Sequence, residues 1–340
     1  MSPRITRTVR ARLAPHCIVA IALVTGACST SADRVAPAAA PPERTTLAPT
    51  TSTTSTTSTT VPTLPPPQRW APSGAEPVPN AKSLAARVIE AIGTYPAGAG
   101  TVAAARDRLA AADLPPALAD GAAALLRADA AGRAEVVYPQ LGGLTETQTS
   151  IVVVARLDTL DGDGVTTSVT RTVDVRLERG GGPWRATGLT SDGGSPPASP
   201  PAMPPAVTAL LEDDRVELPS SAVWDLQSGA TGEAVALLLT TLSKDHELRV
   251  TVLATGHPMN VFATDRLSNH TAGRAVDIWA VDGIPVVDQQ QSPVLRAVVD
   301  AALAAGATEV GAPFDVDGPG GRVFTNTVHL DHLHLAFRSG

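Results

Sequence analysis

Apolar residues recur along the chain at two spacings, helical in some stretches and alternate in others. Ala85, Val88, Ile89 and Ile92 share one face of a helical repeat that Gly93 and Pro96 close. Residues 116–130 repeat that pattern, so 82–133 reads as Ala-rich helices. The pattern then changes to strand. Ile151–Leu157 and Val169–Leu177 flank the turn Asp161-Gly-Asp-Gly164, and Trp184–Leu189 follows a second glycine turn. From Ala206 onward the signals alternate: a helix at 232–243, strands at 248–253 and 275–279, a helix at 292–305 stopped by Gly306, and a last strand at 332–337. The fold class expected is α+β throughout.

Other stretches lack either period. Residues 28–80 are dominated by Ser, Thr, Ala and Pro, with a Thr/Ser run from Thr51 to Thr60 and three prolines at 65–67. Such a segment cannot bury enough apolar surface to offset its ordering entropy, and it reads as a disordered tether with a mean span of about 40 Å. Residues 191–205 form a second, short linker. At the start, Arg4, Arg7, Arg10 and Arg12 precede the apolar run Cys17–Val24, with no acid among them. That run is too short to span a bilayer comfortably and suits a signal peptide covering 1–27. The chain therefore divides into a signal peptide (1–27), a tether (28–80), a small α+β module (81–190), a linker (191–205) and a terminal domain (206–340).

Charge and cysteine content narrow the classes of function. The 340 residues carry a formal charge of −7, and loss of 1–27 with its four arginines makes this about −11. Lysine occurs only at Lys82 and Lys244, and no basic stripe is present, which argues against a nucleic-acid partner. Once Cys17 leaves with the signal peptide, Cys28 is the sole cysteine and no intrachain disulfide can form. An exported domain of this kind relies on its core or on a metal. A monomer is expected.

Seven histidines occur, and five of them lie between 257 and 334. The module at 81–190 has none, and its acids are scattered, so it reads as structural or docking in role. In the strand at 275–280, Val276, Ile278 and Ala280 share a face and Asp277 points the other way. In the last strand, Leu333, Leu335 and Phe337 share a face while His332 and His334 oppose them. If the two strands are neighbours, Asp277 and His334 converge on one open sheet face. His270, on a loop containing Gly273, can fold back to complete the set. Two imidazole nitrogens and one carboxylate oxygen make an open zinc site of catalytic type, with one position left for water. His-x-His alone is a weak signal, as is His-x6-Asp. Together, within Ser268-x-His270-x-x-Gly273-x-Ala275-x-Asp277, they are specific.

The segment Ser268–Asp277, with the closing His329-Leu-Asp-His-Leu-His334, resembles the signature of zinc D-Ala-D-Ala carboxypeptidases, a group related to murein endopeptidases and the hedgehog signalling domain. The resemblance covers about residues 246–338. It implies a hedgehog/DD-peptidase-like antiparallel sheet with helices on one face. It also implies one zinc per chain on His270, Asp277 and His334. Acid/base residues are implied at Asp331 and His332, with His329 a further candidate; the plainer role for Asp331 and His332 is to orient a ligand histidine. Thr255-Gly-His-Pro258 stands where the family carries Ser-Gly-Tyr-Arg, which leaves Arg266 or Arg274 to hold substrate, unless Arg266 is a solvated loop charge. Ser268 reads as a turn residue. His257 is a pocket or turn residue, and Trp279 and Phe262 are core or pocket walls. The activity implied is hydrolysis of peptidoglycan stem peptides, of D,D-carboxypeptidase or endopeptidase type. The alternatives are a non-catalytic, zinc-stabilised module that binds cell-wall peptide or a partner, and a purely structural envelope lipoprotein.

Val24-Thr-Gly-Ala-Cys28-Ser resembles a bacterial lipobox. It implies acylation of Cys28 and a lipid anchor on the extracytoplasmic face of the membrane, with plain secretion as the alternative. Replacing Cys28 by Ala is expected to move the protein from the membrane fraction to the soluble fraction. Unchanged partitioning on fractionation contradicts the anchor.

Overall fold

Helix α1 (Pro79–Gly93) begins with proline at its first position, where no intrahelical N–H is needed, and buries Ala81, Lys82, Ala85, Ala86, Val88, Ile89 and Ile92. Its burial of Lys82 is the one departure from an apolar stripe. The computed structural model describes residues 63–338, and these belong to one compact unit. The signal peptide, Cys28 and most of the tether lie outside the described residues. Order begins earlier than the tether boundary at 80: Trp70 and Val78 pack against the first core, and Glu76 is buried. These contacts are too widely spaced to leave a periodic signal. No helix among the described residues is long and apolar enough to cross a membrane.

After α2 (Val102–Ala111), the expected helix at 116–130 is replaced by two short 3-10 turns, Pro116–Gly121 and Ala123–Leu125. Pro115, Pro116 and Gly121 interrupt the helical hydrogen-bond ladder there. Four antiparallel strands follow in a meander of order β1-β2-β3-β4: β1 (Ala130–Leu144), β2 (Gln148–Asp161), β3 (Thr166–Glu178) and β4 (Arg185–Ser191). One face of this sheet packs on α1 through Ala134, Val136, Ile151, Val153, Val173 and Val175. β1 carries a register shift between Val136 and Tyr138. An extra residue there reverses the alternation, so Tyr138 and Gln140 leave the α1 face and point to the opposite side.

The remainder contains α3 (Pro205–Leu211), β5 (Val216–Glu217), α4 (Ser220–Ser228), α5 (Glu233–Leu242), β6 (Leu248–Val252), β7 (Ala275–Val281), β8 (Ile284–Pro285), α6 (Pro293–Ala304), β9 (Glu309–Gly311), β10 (Val323–Phe324) and β11 (Leu333–Ala336). The sheet order is β10-β9-β11-β7-β6-β5, with β8 added to β7. The centre is antiparallel, as expected, but the outer pairs β10–β9 and β5–β6 are parallel. The helices cover one face: Val207, Leu210, Leu238, Leu239, Val298 and Val299 pack with Val250, Val276, Ile278, Leu333 and Leu335.

The other face was expected to be open. It is not, because all seven residues of β7 are buried. The amino-terminal sheet covers it. Tyr138 stacks on Trp279 with ring centroids 4.9 Å apart, and the Thr172 hydroxyl donates to the Thr251 carbonyl at 2.8 Å. The modules at 81–190 and 206–340 thus share one interior, although residues 192–204 between them form no helix or strand. Truncating Tyr138 to Ala is expected to cost about 3 kcal/mol of stability, from lost burial and the cavity left behind. Chemical denaturation measures this, and a change below about 1 kcal/mol would mean the contact contributes little.

Candidate metal centre

Strand β11 pairs antiparallel with β7, and the register sets His334 directly opposite Asp277. Since both side chains project from the face away from α6, they meet without any loop to guide them. His270 comes from the turn before β7. Gly273 shapes that turn at φ +68°, and a Cβ there would lie 2.3 Å from the Ala230 carbonyl oxygen. The His270 Nδ1–H donates to the Leu253 carbonyl at 2.6 Å, which fixes the tautomer and leaves Nε2 as a lone-pair donor. The segment after Leu253 is itself braced by Asp225, whose carboxylate accepts the N–H groups of Ala254 and Thr255 and the Thr255 hydroxyl.

Three atoms converge as a result. His270 Nε2 is 3.1 Å from Asp277 Oδ1 and 3.1 Å from His334 Nδ1, and His334 Nδ1 is 2.9 Å from Asp277 Oδ1. Tetrahedral ligands about 2.1 Å from a zinc ion stand about 3.4 Å apart, so the triangle has nearly the size a metal needs. When both imidazoles are neutral and the His270 proton is committed to Leu253, one proton, on His334 Nδ1, sits among three atoms that otherwise offer lone pairs. The donor set therefore suits a cation. A wider grouping, His257 with His270 and Asp277, also has its donor atoms within 4.8 Å of one another. The triangle with His334 is the tighter of the two, its three atoms lying within 3.1 Å of one another; His257 stacks flat on His270 with centroids 3.9 Å apart and turns Nδ1 to the Pro258 carbonyl at 2.8 Å, which leaves its Nε2 as a further lone-pair donor.

A cleft of about 320 Å³ opens over these groups, lined among others by Phe262, Arg266, Asn326, His329, His332 and the Leu141–Leu144 end of β1. Arg266 and His332 thus lie where a substrate could reach them. His329 lies beside them, with its Nδ1 2.8 Å from Asn326 Oδ1. That oxygen also accepts the Val328 N–H, so His329 is the donor at Nδ1 and Nε2 is left as an acceptor. Gly311 makes room for this ring: a Cβ at that position would lie 2.3 Å from His329 Cδ2.

Asp331 departs from its expected place as an acid/base group. It has no exposed surface and does not line the cleft. Its Oδ1 accepts from His332 Nδ1 at 2.6 Å, and its Oδ2 accepts the Leu141 N–H at 2.8 Å and faces Lys82 Nζ at 2.5 Å. The module at 81–190 was expected to carry no chemistry, yet it supplies Lys82 and also Gln140, which donates from Nε2 to Asp277 Oδ2 at 2.6 Å. Glu309 was not foreseen either. It stands 3.9 Å from His334 Nε2 and is tied to Arg338 at 2.6 Å. A lysine within the apolar stripe of α1 was a visible signal; Gln140 and Glu309 left none.

The electrostatics follow from this crowding. Burial pushes the Asp277 carboxyl up, but His270 and His332 outweigh it and hold the group well below its ordinary range. Burial pulls His257, His329 and His334 down, and neighbouring imidazoles add to the effect. Burial also pulls His332 down, yet the Asp277 and Asp331 carboxylates prevail and raise it.

Comparison with family models, with curated proteins and with solved structures finds no match to this chain. The residues themselves therefore carry the argument.

The pKa directions give a stability profile for the metal-free protein. Below an ordinary histidine value of about 6.5 the unfolded chain protonates its histidines, whereas the folded His257, His329 and His334 resist protonation. Their contribution is full above pH 6.5 and is lost as pH falls toward their folded values; His332, being raised, works in the opposite sense. Three groups against one predict a falling melting temperature from pH 7 to pH 5 in chelator. A flat or rising melting temperature would contradict the burial assigned to these rings.

Proposed function

We propose that the chain is a zinc-dependent peptidase acting on peptidoglycan stem peptides, of D,D-carboxypeptidase or endopeptidase type, anchored outside the membrane through Cys28. The observation that carries this reading is the triangle of His270 Nε2, Asp277 Oδ1 and His334 Nδ1, of which Asp277 and His334 line the cleft while His270 is fully buried. Zinc held there supplies Lewis acidity toward a carbonyl and a water.

The protein's own groups divide the remaining work. His332 donates Nδ1–H to Asp331, which leaves Nε2 as the nitrogen toward the cleft; it lies 3.8 Å from Asp277 Oδ2, beside the triangle. In this reading Nε2 takes the proton of the attacking water and returns it to the leaving amine. The neutral His329 offers a second acceptor within the cleft. Arg266 supplies positive charge at the rim for a substrate carboxylate, and Phe262 with Gly142 and Gly143 forms an apolar wall along which an extended peptide can lie.

One observation favours a second reading, a zinc-stabilised module that binds cell-wall peptide or a partner without turnover. Asp331, at the position where the resemblance implies an acid/base group, is engaged at both oxygens.

Elemental analysis of the mature protein is expected to find about one zinc per chain, lost in His334→Ala. His332→Ala is expected to keep the zinc and lose about 100-fold or more in chelator-sensitive cleavage of muropeptides. Absence of zinc from carefully prepared protein sinks both readings. Zinc without cleavage of any muropeptide replaces the peptidase by the binding module.

A further inference from the structure

A line of buried polar contacts runs from α1 to the cleft. Glu76 pairs with Lys82, Lys82 faces Asp331 Oδ2 at 2.5 Å, and Asp331 Oδ1 accepts from His332 Nδ1 at 2.6 Å. Glu76, Lys82, Asp331 and His332 are all buried, Lys82 and Asp331 with no exposed surface. Lys82 Nζ also lies 4.9 Å from the centre of the Tyr138 ring, whose hydroxyl is 3.4 Å from the Asp331 carbonyl oxygen. The first three residues of this line, counting Tyr138, lie before or within the amino-terminal sheet, and the last two lie just before β11.

We infer that Lys82 is a positioning residue for His332, holding Asp331 as an acceptor for Nδ1 and thereby keeping Nε2 of His332 turned to the cleft. The inference rests on the peptidase reading for its kinetic consequence, but its geometric content stands alone. Asp331 receives three donors: the lysine ammonium, the Leu141 N–H and the His332 Nδ1–H. With a cation and a backbone N–H on one oxygen, the carboxylate carries no proton to donate. Its bond to His332 can then run only from the ring to the acid. Nδ1 is protonated as a consequence, and Nε2 is the nitrogen that faces Asp277 and the cleft. Remove the ammonium, and a buried carboxylate is left without its countercharge. A protonated Asp331 could then donate to Nδ1 and move the ring proton to Nε2, the nitrogen required as the base.

A lysine that merely joined the two modules would give a different pattern from one that sets the tautomer. The test uses the mature chain, zinc-loaded and metal-free, with 15N-labelled histidine, and the His332 signals are assigned by their loss in His332→Gln. Wild type is expected to show His332 protonated at Nδ1. Lys82→Met is expected to show a mixed or reversed tautomer, zinc retained, KM for a cleaved muropeptide changed less than about 3-fold, and kcat lower by about 10- to 100-fold, the range for partners that orient a catalytic site. An unchanged tautomer with unchanged kcat, even with a lower melting temperature, overturns the inference. If Lys82→Met does not fold, the variant Glu76→Gln/Lys82→Met/Asp331→Asn removes all three buried charges of this line and replaces it, compared with Glu76→Gln/Asp331→Asn. The triple variant is expected to match Glu76→Gln/Asp331→Asn in kcat and tautomer, whereas a further, multiplicative loss overturns the inference. Should wild type hold zinc yet cleave nothing, the peptidase reading fails while the nitrogen spectra still decide the role of Lys82.

Discussion

The antiparallel pairing of β7 with β11 is the constraint on which the centre depends. It sets Asp277 and His334 across from each other, and the period of two sends their neighbours Val276, Ile278, Leu333 and Leu335 into the helical layer. A slip of β11 by one residue would turn His334 toward that apolar layer and bring Leu333 and Leu335 to the polar side. Burial of those aliphatics therefore holds the register, and the register holds Asp277 and His334 together. The loop carrying His270 needs only to close onto a pair already formed. Its tools are a glycine in the left-handed region, a carbonyl at the end of β6 and a carboxylate at Asp225.

How much of this could be read beforehand follows from the range of each interaction. The positions of Asp277, His332 and His334 on one side of their strands were legible, because strand alternation is local. His270 was legible through the spacing of its motif. The helices α1, α5 and α6 were close to their expected bounds, since their apolar stripes are regular. β9, three residues long, gave no pattern of its own, and so Glu309 beside His334 went unnoticed. Gln140 was hidden for another reason. Simple alternation from Ala134 and Val136 puts it on the α1 side, and only the bulge near residue 137 turns it to Asp277. Lys82 sits in a helix whose pattern calls for an apolar residue, and nothing nearby in sequence names Asp331 as the reason.

The cost of this arrangement is electrostatic. Two carboxylates and several imidazoles share a region with little access to water, and removing one partner of a fully buried ion pair such as Lys82–Asp331 costs about 3–5 kcal/mol. Such charges persist when each has its donors. Here they do: Asp277 has Gln140 and the His334 Nδ1–H, and Asp331 has Lys82, Leu141 and His332. The amino-terminal sheet is what excludes water from this network, through the Tyr138–Trp279 stack and the end of β1.

The irregular stretch between Ser191 and Pro205 gains meaning from that shared interior. Severing the chain there would break a single covalent link while leaving the halves matched at Lys82 with Asp331, at Gln140 with Asp277 and at Tyr138 with Trp279. Each piece alone would present to water an aromatic face and a charge stripped of one of its partners, a strong incentive to re-associate. The protein is thus organised as two complementary fragments on one thread, and the terminal portion is not a cassette that can be moved intact to another protein.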